Sequence, residues 1–190
     1  MGLEQIKNEF NAIAKTIYFD KAHFLREKAS DEKAVRIFLE KVERLLQEND
    51  RKLEELYFVY GVFGNLYRVI GHPKKAIHYL QQALCLAERE NDDSRKVVFL
   101  IRLGEALKYN EEHEKALKTF DKAMDLSDTL QVRKYNDFIF QHKGKCLLEL
   151  GHLLEAEKCF LEALHIRKEK GDPELVASTE LAIELVKKSK

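Results

Sequence analysis

Residues Tyr60 to Ala83 read YGVFGNLYRVIGHPKKAIHYLQQA. A small residue at Gly64 and an aromatic at Tyr67 precede a Gly71-His72-Pro73 break, after which Ala76 and Ala83 flank Leu80. The pattern returns at a fixed interval. Gly64, Gly104 and Gly144 are 40 residues apart, and the same step separates Ala76, Ala116 and Ala156, and again Ala83, Ala123 and Ala163. Three series in one register, at a period of this size, mark an array of stacked units that bury their apolar faces against one another.

Each unit predicts two helices. In the best-preserved copy the first spans about 52–70, and Pro73 in the first turn starts a second over about 73–90. Asn91-Asp92-Asp93-Ser94 turns the chain into a pair at 95–109 and 112–128, joined by Asn110-Glu111. A third pair covers 134–150 and 153–169, around Gly151-His152. Asp172 caps a last helix over 173–188 that covers the open end of the stack. Antiparallel helices pack about 8–10 Å apart, and their closest crossings admit little beyond Ala. Gly64, Gly104 and Gly144 are therefore expected where the two helices of a pair meet, opposite Ala76, Ala116 and Ala156. Ala83, Ala123 and Ala163 should face the next pair, with Leu80, Phe120 and Phe160 filling the space between.

The first 50 residues read as a weakened copy. Leu3, Ile6, Phe10, Ile13, Ile17 and Phe24 predict one amphipathic helix over 3–28, broken only by Asp20. Ser30 is the expected N-cap of a helix over about 31–49, which presents Ala34, Ile37, Phe38, Val42 and Leu45 and stops at Asn49-Asp50. The expected fold is all-α, a right-handed superhelix of antiparallel helix pairs. It forms a single domain over residues 1–190, divided into 1–50, 52–91, 95–130, 134–170 and 173–188.

The order of residues resembles the tetratricopeptide repeat. It runs Tyr60, Phe63-Gly64, Tyr67, Gly71, Ala76, Leu80, Ala83, and recurs twice with Leu100 or Phe140 opening the unit. The resemblance is strong over about 55–170 and weak over 15–50 and 173–188. Two features depart from it: the step of 40 residues exceeds the usual period of about 34, and the proline that closes each unit is absent. The resemblance implies a non-catalytic module that binds protein or peptide as an adaptor or regulatory scaffold. It also implies that the first helix of each pair lines a concave groove.

Given such a groove, the positions on the side of the first helices away from Gly64 and Tyr67 would face it. They are Phe58, Val62, Asn65 and Arg68, then Ile101, Arg102, Glu105 and Lys108, then Phe138, Gln141, His142 and Lys145, with Gly61 and Val98 beside them. Phe19, His23 and Arg26 extend the set from the weakened copy. An asparagine can pair with both N–H and C=O of an extended chain, and an arginine can hold a carboxylate through two parallel bonds. A peptide with acidic and apolar residues, or a free terminal carboxylate, suits such a face. The clamp by which some tetratricopeptide domains hold chaperone tails is incomplete: Asn65 matches, but Gly61 stands in place of its lysine and Arg102 in place of its second asparagine.

Other classes find little support. Lys plus Arg equals Asp plus Glu at 33 each, without the basic excess usual for a nucleic-acid partner. Cys85, Cys146 and Cys159 form no CxxC pair and read as reduced thiols, so neither metal nor cofactor is expected. There is no phosphate loop and no HExxH, hence no catalytic residues. His72 and His152 sit at turns, and Asp92-Asp93 and Glu111-Glu112 are helix-start acids. Ile6 breaks the myristoylation pattern after Gly2. No signal peptide or membrane span is expected, which places the chain in the cytoplasm. Two other readings stay open. Leu175, Val176, Leu181, Ile183, Leu185 and Val186 leave the last helix apolar enough for a homodimer through the terminal helices. The long period also fits a peptide-sensing regulator of bacterial signalling.

Overall fold

The structure, a computed structural model, describes residues 3–46 and 52–190. Gly2, the side chain of Leu45 and the helix stop expected at Asn49-Asp50 lie outside them. In chain order the elements are α1 (Leu3–Ala14), β1 (Ile17–Asp20), β2 (Arg26–Ala29), α2 (Glu32–Leu46), α3 (Leu53–Val69), α4 (Pro73–Arg89), α5 (Asp93–Tyr109), α6 (His113–Thr129), α7 (Asn136–Glu149), α8 (Leu153–Lys170) and α9 (Pro173–Ser189). The pairs α3/α4, α5/α6 and α7/α8 stack in sequence, and α9 lies against α8. The result is an α-solenoid of antiparallel helix pairs, as the periodicity predicts.

The glycines of the 40-residue series lie at the crossings, and the atoms nearest to each belong to Leu80, Phe120 and Phe160, the residues expected to fill the space between. A Cβ on Gly104 would stand 2.6 Å from Phe120, and one on Gly144 2.7 Å from Phe160; at Gly64 it would fall inside the Leu80 side chain. Each glycine is thus a seat for the large residue of the opposite helix. Ala76, Ala116 and Ala156 are fully buried, but the glycine leaves its space to the ring or the leucine.

Every joint in the array closes in the same way. A residue with positive φ recurs at 20-residue steps: Gly71 (76°), Asn91 (54°), Glu111 (61°), Gln131 (55°), Gly151 (77°) and Gly171 (70°). The amide after it donates to the carbonyl five residues back, as in His72 to Tyr67 at 2.8 Å, Glu112 to Leu107 at 2.9 Å and Val132 to Ser127 at 2.8 Å. This is the six-to-one bond of a Schellman end. Asn110-Glu111 therefore makes the same turn as its glycine-bearing sisters. Asp92 and Asp172 then cap the following helices through Arg95 N at 2.9 Å and Leu175 N at 3.1 Å.

The N-terminal segment departs from the expected helix over 3–28. After α1, the Thr16 hydroxyl and amide both donate to the Ile13 carbonyl, at 2.7 and 2.9 Å, and the chain enters a hairpin. Its register pairs Ile17 with Ala29 and Asp20 with Arg26. The run Ile17-Tyr18-Phe19 has the branched and aromatic side chains that suit a pleated strand. Asp20, which interrupts the helical stripe, organises the turn: its carboxylate accepts from Ala22 N at 2.9 Å and His23 Nδ1 at 2.7 Å and pairs with Lys28 across the hairpin at 2.6 Å. The apolar spacing satisfies a helix as well, and the local bonds of Asp20 favour the strands. The cap of α2 is Asp31, which accepts from Ala34 N at 2.9 Å, rather than Ser30.

At the other end α9 buries Thr179, Ala182, Ile183 and Val186, while Leu175, Val176, Leu181 and Leu185 are half-buried. The more exposed leucines, Leu154 and Leu161, belong to α8.

Two expected outcomes follow for chemical denaturation. Gly104→Ala should lose roughly 1–3 kcal/mol, because the methyl group meets an aromatic ring fixed in the core. Gln131→Gly should gain about 0.5–1 kcal/mol, since it relieves a left-handed side-chain residue at an exposed joint.

Candidate functional site

The concave face is formed by α3, α5 and α7 side by side, and the N-terminal segment divides it into two parts. The open part is a groove of about 830 Å3 between these helices and α1. Leu3, Lys7 and Phe10 of α1 form one wall, and the Phe10 ring meets Phe58 edge-on at 6.0 Å. Of the residues expected to face a partner, Phe58, Val62, Asn65, Arg68, Ile101, Arg102, Glu105, Phe138 and His142 line this groove. Val98 and Gly61 line it too, as do Tyr57, Phe99 and Tyr135, which are not among the residues expected from the pattern.

The other part, at the C-terminal ends of α3, α5 and α7, is covered by the hairpin. Arg26 makes a two-pronged pair with Glu149, Nε at 3.0 Å and Nη2 at 2.6 Å, and reaches Glu111 at 2.8 Å. Glu27 pairs with Arg68, and its backbone amide is held by the Tyr109 hydroxyl. The guanidiniums of Arg26 and Arg68 and the Lys108 ammonium surround the Tyr109 ring at 5.1, 4.6 and 5.0 Å from its centroid. Leu25 joins the core beside Leu147 and Leu148, and the Phe19 ring lies 4.4 Å from Lys145 Nζ.

Three expected groove residues therefore lie elsewhere. Lys108 is wholly buried and pairs with Glu149 at 3.1 Å; Lys145 is 4% exposed beneath the hairpin; Gln141 is buried within α7. Arg68 touches the groove but is held by Glu27 and, at 3.1 Å, by Glu105. The face that looks basic in sequence is largely neutralised, by Glu27 and Glu105 on Arg68 and by Glu149 on Lys108, while Arg26 and Tyr109 hold the hairpin over it. Of Arg26, Glu27, Tyr109 and Glu149, only Arg26 belongs to the expected set.

Burial and pairing act against each other on these groups. Burial works to raise the Glu149 carboxyl, but the bonds from Arg26 and the charge of Lys108 outweigh it and hold the group at about 2. Glu105 is likewise held low by Arg68 against its burial. His142, 3.5 Å from Glu105, is pushed down to about 4 chiefly by burial. Lys145 falls to about 8 through burial and the nearby Lys108. Among the described residues no cluster of three or more His, Cys, Asp or Glu is placed to hold a metal ion. The arrangement offers shape, apolar wall and fixed charge.

These directions set a two-stage acid response. A base with a lowered folded value leaves the unfolded chain holding more protons, so His142 should draw stability down as pH falls from about 6.5 towards 4. A depressed carboxyl adds stability above its unfolded value of 4.5, and Glu149 should lose that contribution between there and about 2. In urea titrations across pH, His142→Gln should remove the upper stage. Glu149→Gln should remove much of the lower one and cost roughly 3–5 kcal/mol at neutrality, because Lys108 and Arg26 lose their partner.

Comparison with known proteins agrees with this geometry. A tetratricopeptide repeat family model matches residues 98–129 and 139–170. The Photosystem I assembly protein Ycf3 of Acaryochloris marina (strain MBIC 11017) is 33% identical over 104 residues, which are 54% of this chain and 61% of that protein. The chain thus spans about three fifths of that relative's length. Among solved structures, a Rap protein complexed with Competence and Sporulation Factor superposes with a TM-score of 0.70 at 20% identity, over 96% of this chain and 48% of that one. PlcR of Bacillus thuringiensis in its apo form gives 0.65 at 17% identity, over 95% and 72%. Two of its repeats thus match the tetratricopeptide repeat, and its helix pairs stack as an α-solenoid of that kind.

Proposed function

We propose that this chain is a non-catalytic adaptor or regulatory scaffold that binds a segment of another protein, rich in acidic and apolar residues, in the groove between α1, α3, α5 and α7. One observation carries the reading. The groove is walled by aromatic and aliphatic side chains, yet it stays open along a concave face whose other part the chain fills with its own hairpin. An apolar cleft of this size with a few polar groups is the usual form of a binding site, for which roughly 300–1,000 Å3 is typical.

The kinship supports a protein or peptide partner. The Ycf3 relative is named for assembling Photosystem I, and the Rap structure holds Competence and Sporulation Factor. Among the described residues no helix is long and apolar enough to cross a membrane, and a cytoplasmic site of action belongs to this proposal. So does the absence of a nucleic-acid partner, which rests on the balanced charge.

The groove is tested by affinity capture from native lysate. Val98→Glu places a charge in the groove wall, and Phe138→Ala removes part of its apolar floor. Each should lower recovery of the partner at least about tenfold, on the order of 1.4 kcal/mol, with circular dichroism and melting unchanged. Full capture by both folded variants would move the binding site off this groove.

A further inference from the structure

Gly61 and Gly64 lie one turn apart on α3 and do different work. Gly64 seats Leu80 of the partner helix, as Gly104 and Gly144 seat their phenylalanines. Gly61 belongs to no such crossing. The space where its Cβ would stand is taken by the guanidinium of Arg102, with the Phe99 ring edge 3.8 Å away. An interior glycine destabilises a helix relative to alanine, and here the vacated space seats a groove cation.

That cation stands apart from the other charges of the groove. Lys7 pairs with Glu4, Arg95 with Glu54, Glu27 with Arg68, and Glu105 with Arg68 and His142. Among the described residues Arg102 alone of the charged groups lining the groove has no ion pair or hydrogen bond. A second group nearby is also unmatched. Tyr57, one turn before Gly61, is 4% exposed and stacks on Phe99 at 5.8 Å, and its buried hydroxyl has no hydrogen-bond partner. The charges that act on that hydroxyl are those of Arg95, Asp92, Glu90 and Glu54, so the unmatched guanidinium of Arg102 stands by itself in a groove whose other surfaces include Phe10, Phe58 and Phe138.

We propose that Arg102, seated across Gly61 beside the Phe99 ring, is the specificity anchor of this groove. It takes the side-chain carboxylate of an aspartate or glutamate that adjoins an aromatic or large apolar residue in a partner segment. The hairpin bounds the groove at the Glu27 side, so the segment is short and enters the open part; it does not run the length of the array. Arg102 is exposed to solvent and can make two parallel bonds to a carboxylate, and the neighbouring rings supply the apolar contact that gives such an anchor its affinity. This inference rests on the groove being the binding site.

The test uses the full chain and an acetylated, amidated pentapeptide, Ser-Asp-Phe-Leu-Ser, followed by NMR at the Gly61 amide and the Arg102 side-chain N–H. A saturable shift at both groups is expected, weakened at least about tenfold when the peptide carries Asn for Asp. Arg102→Gln should cause the same loss for the Asp peptide and none for the Asn peptide. Gly61→Ala should leave the unfolding midpoint unchanged or higher, since only the end of a flexible side chain must move, yet weaken the Asp peptide. Equal binding of Asp and Asn peptides, or no saturable shift at these groups at millimolar peptide, overturns the anchor. Equal binding of decanoate and the Asp peptide overturns the assignment to a peptide. If Val98→Glu abolishes capture of the native partner while Arg102→Gln and Gly61→Ala do not, the anchor is wrong and the groove stands. If Val98→Glu and Phe138→Ala also capture normally, the groove itself is wrong.

Discussion

The distance between the two helices of a pair is set by a side chain resting on a glycine backbone. Phe120 on Gly104, Phe160 on Gly144 and Leu80 on Gly64 leave no room for a methyl group. Because the seat repeats every 40 residues, each pair adopts the same crossing and the pairs stack without a change of direction. The joints reinforce this, with a left-handed residue every 20 positions that returns the chain after each helix. A curved stack of such pairs necessarily has a concave side lined by the first helices, and everything the chain can offer a partner there depends on that spacing being kept.

The cost of the concave side lies in its charges. Lys108, Arg68, Glu105 and Glu149 are all removed from water, and a buried ion is tolerated only where its partners are well placed. Much of that pairing comes from the hairpin, through Arg26 on Glu149 and Glu27 on Arg68. A comparable arrangement closes the far end. Asp137 is wholly buried and receives Arg167 at 3.1 Å and also Lys170, and Arg167 continues to the Thr179 hydroxyl at 2.7 Å. α9 is thereby fixed to α7 and α8 by polar bonds as well as by Ala182 and Val186. The apolar residues that make the last helix look like a dimer surface are in large part turned inward.

The repeats were legible because their period is carried by small residues whose role is steric, and steric constraints recur identically in each copy. The joint at Asn110-Glu111 was legible for the same reason despite having no glycine, since the period places it. The hairpin was not legible from apolar spacing, because Ile13, Ile17 and Phe24 fit a helix equally well and the deciding bonds are the local ones of Asp20. Pattern gave the direction in which Phe58, Val62, Ile101 and Phe138 point, and these line the groove. It failed for Lys108 and Lys145, since their burial is imposed by residues more than 80 positions away in the chain. Glu149 and Tyr109 escaped notice because each becomes important only when the hairpin arrives.

The division of the concave face has a consequence for how binding properties arise in this chain. In an array built of repeats alone, the groove would present Arg68, Lys108, Lys145 and Arg102 together, a field that attracts acidic segments with little regard to sequence. The N-terminal segment pairs with Arg68 and lies over Lys145, Glu149 of α7 pairs with Lys108, and α1 adds a further wall to the groove in which Arg102 stands. On the proposed reading Arg102, the lining charge without an ion pair among the described residues, would select by geometry more than by net attraction. On that reading specificity would be set jointly by the first helices of the repeats and by residues 3–29, although only the former carry the repeat pattern. Changes at Arg26 or Glu27, far from any groove contact in sequence, would alter what the groove accepts by returning Arg68 and Glu149 to solvent, while the glycine seats that hold the array together stay untouched.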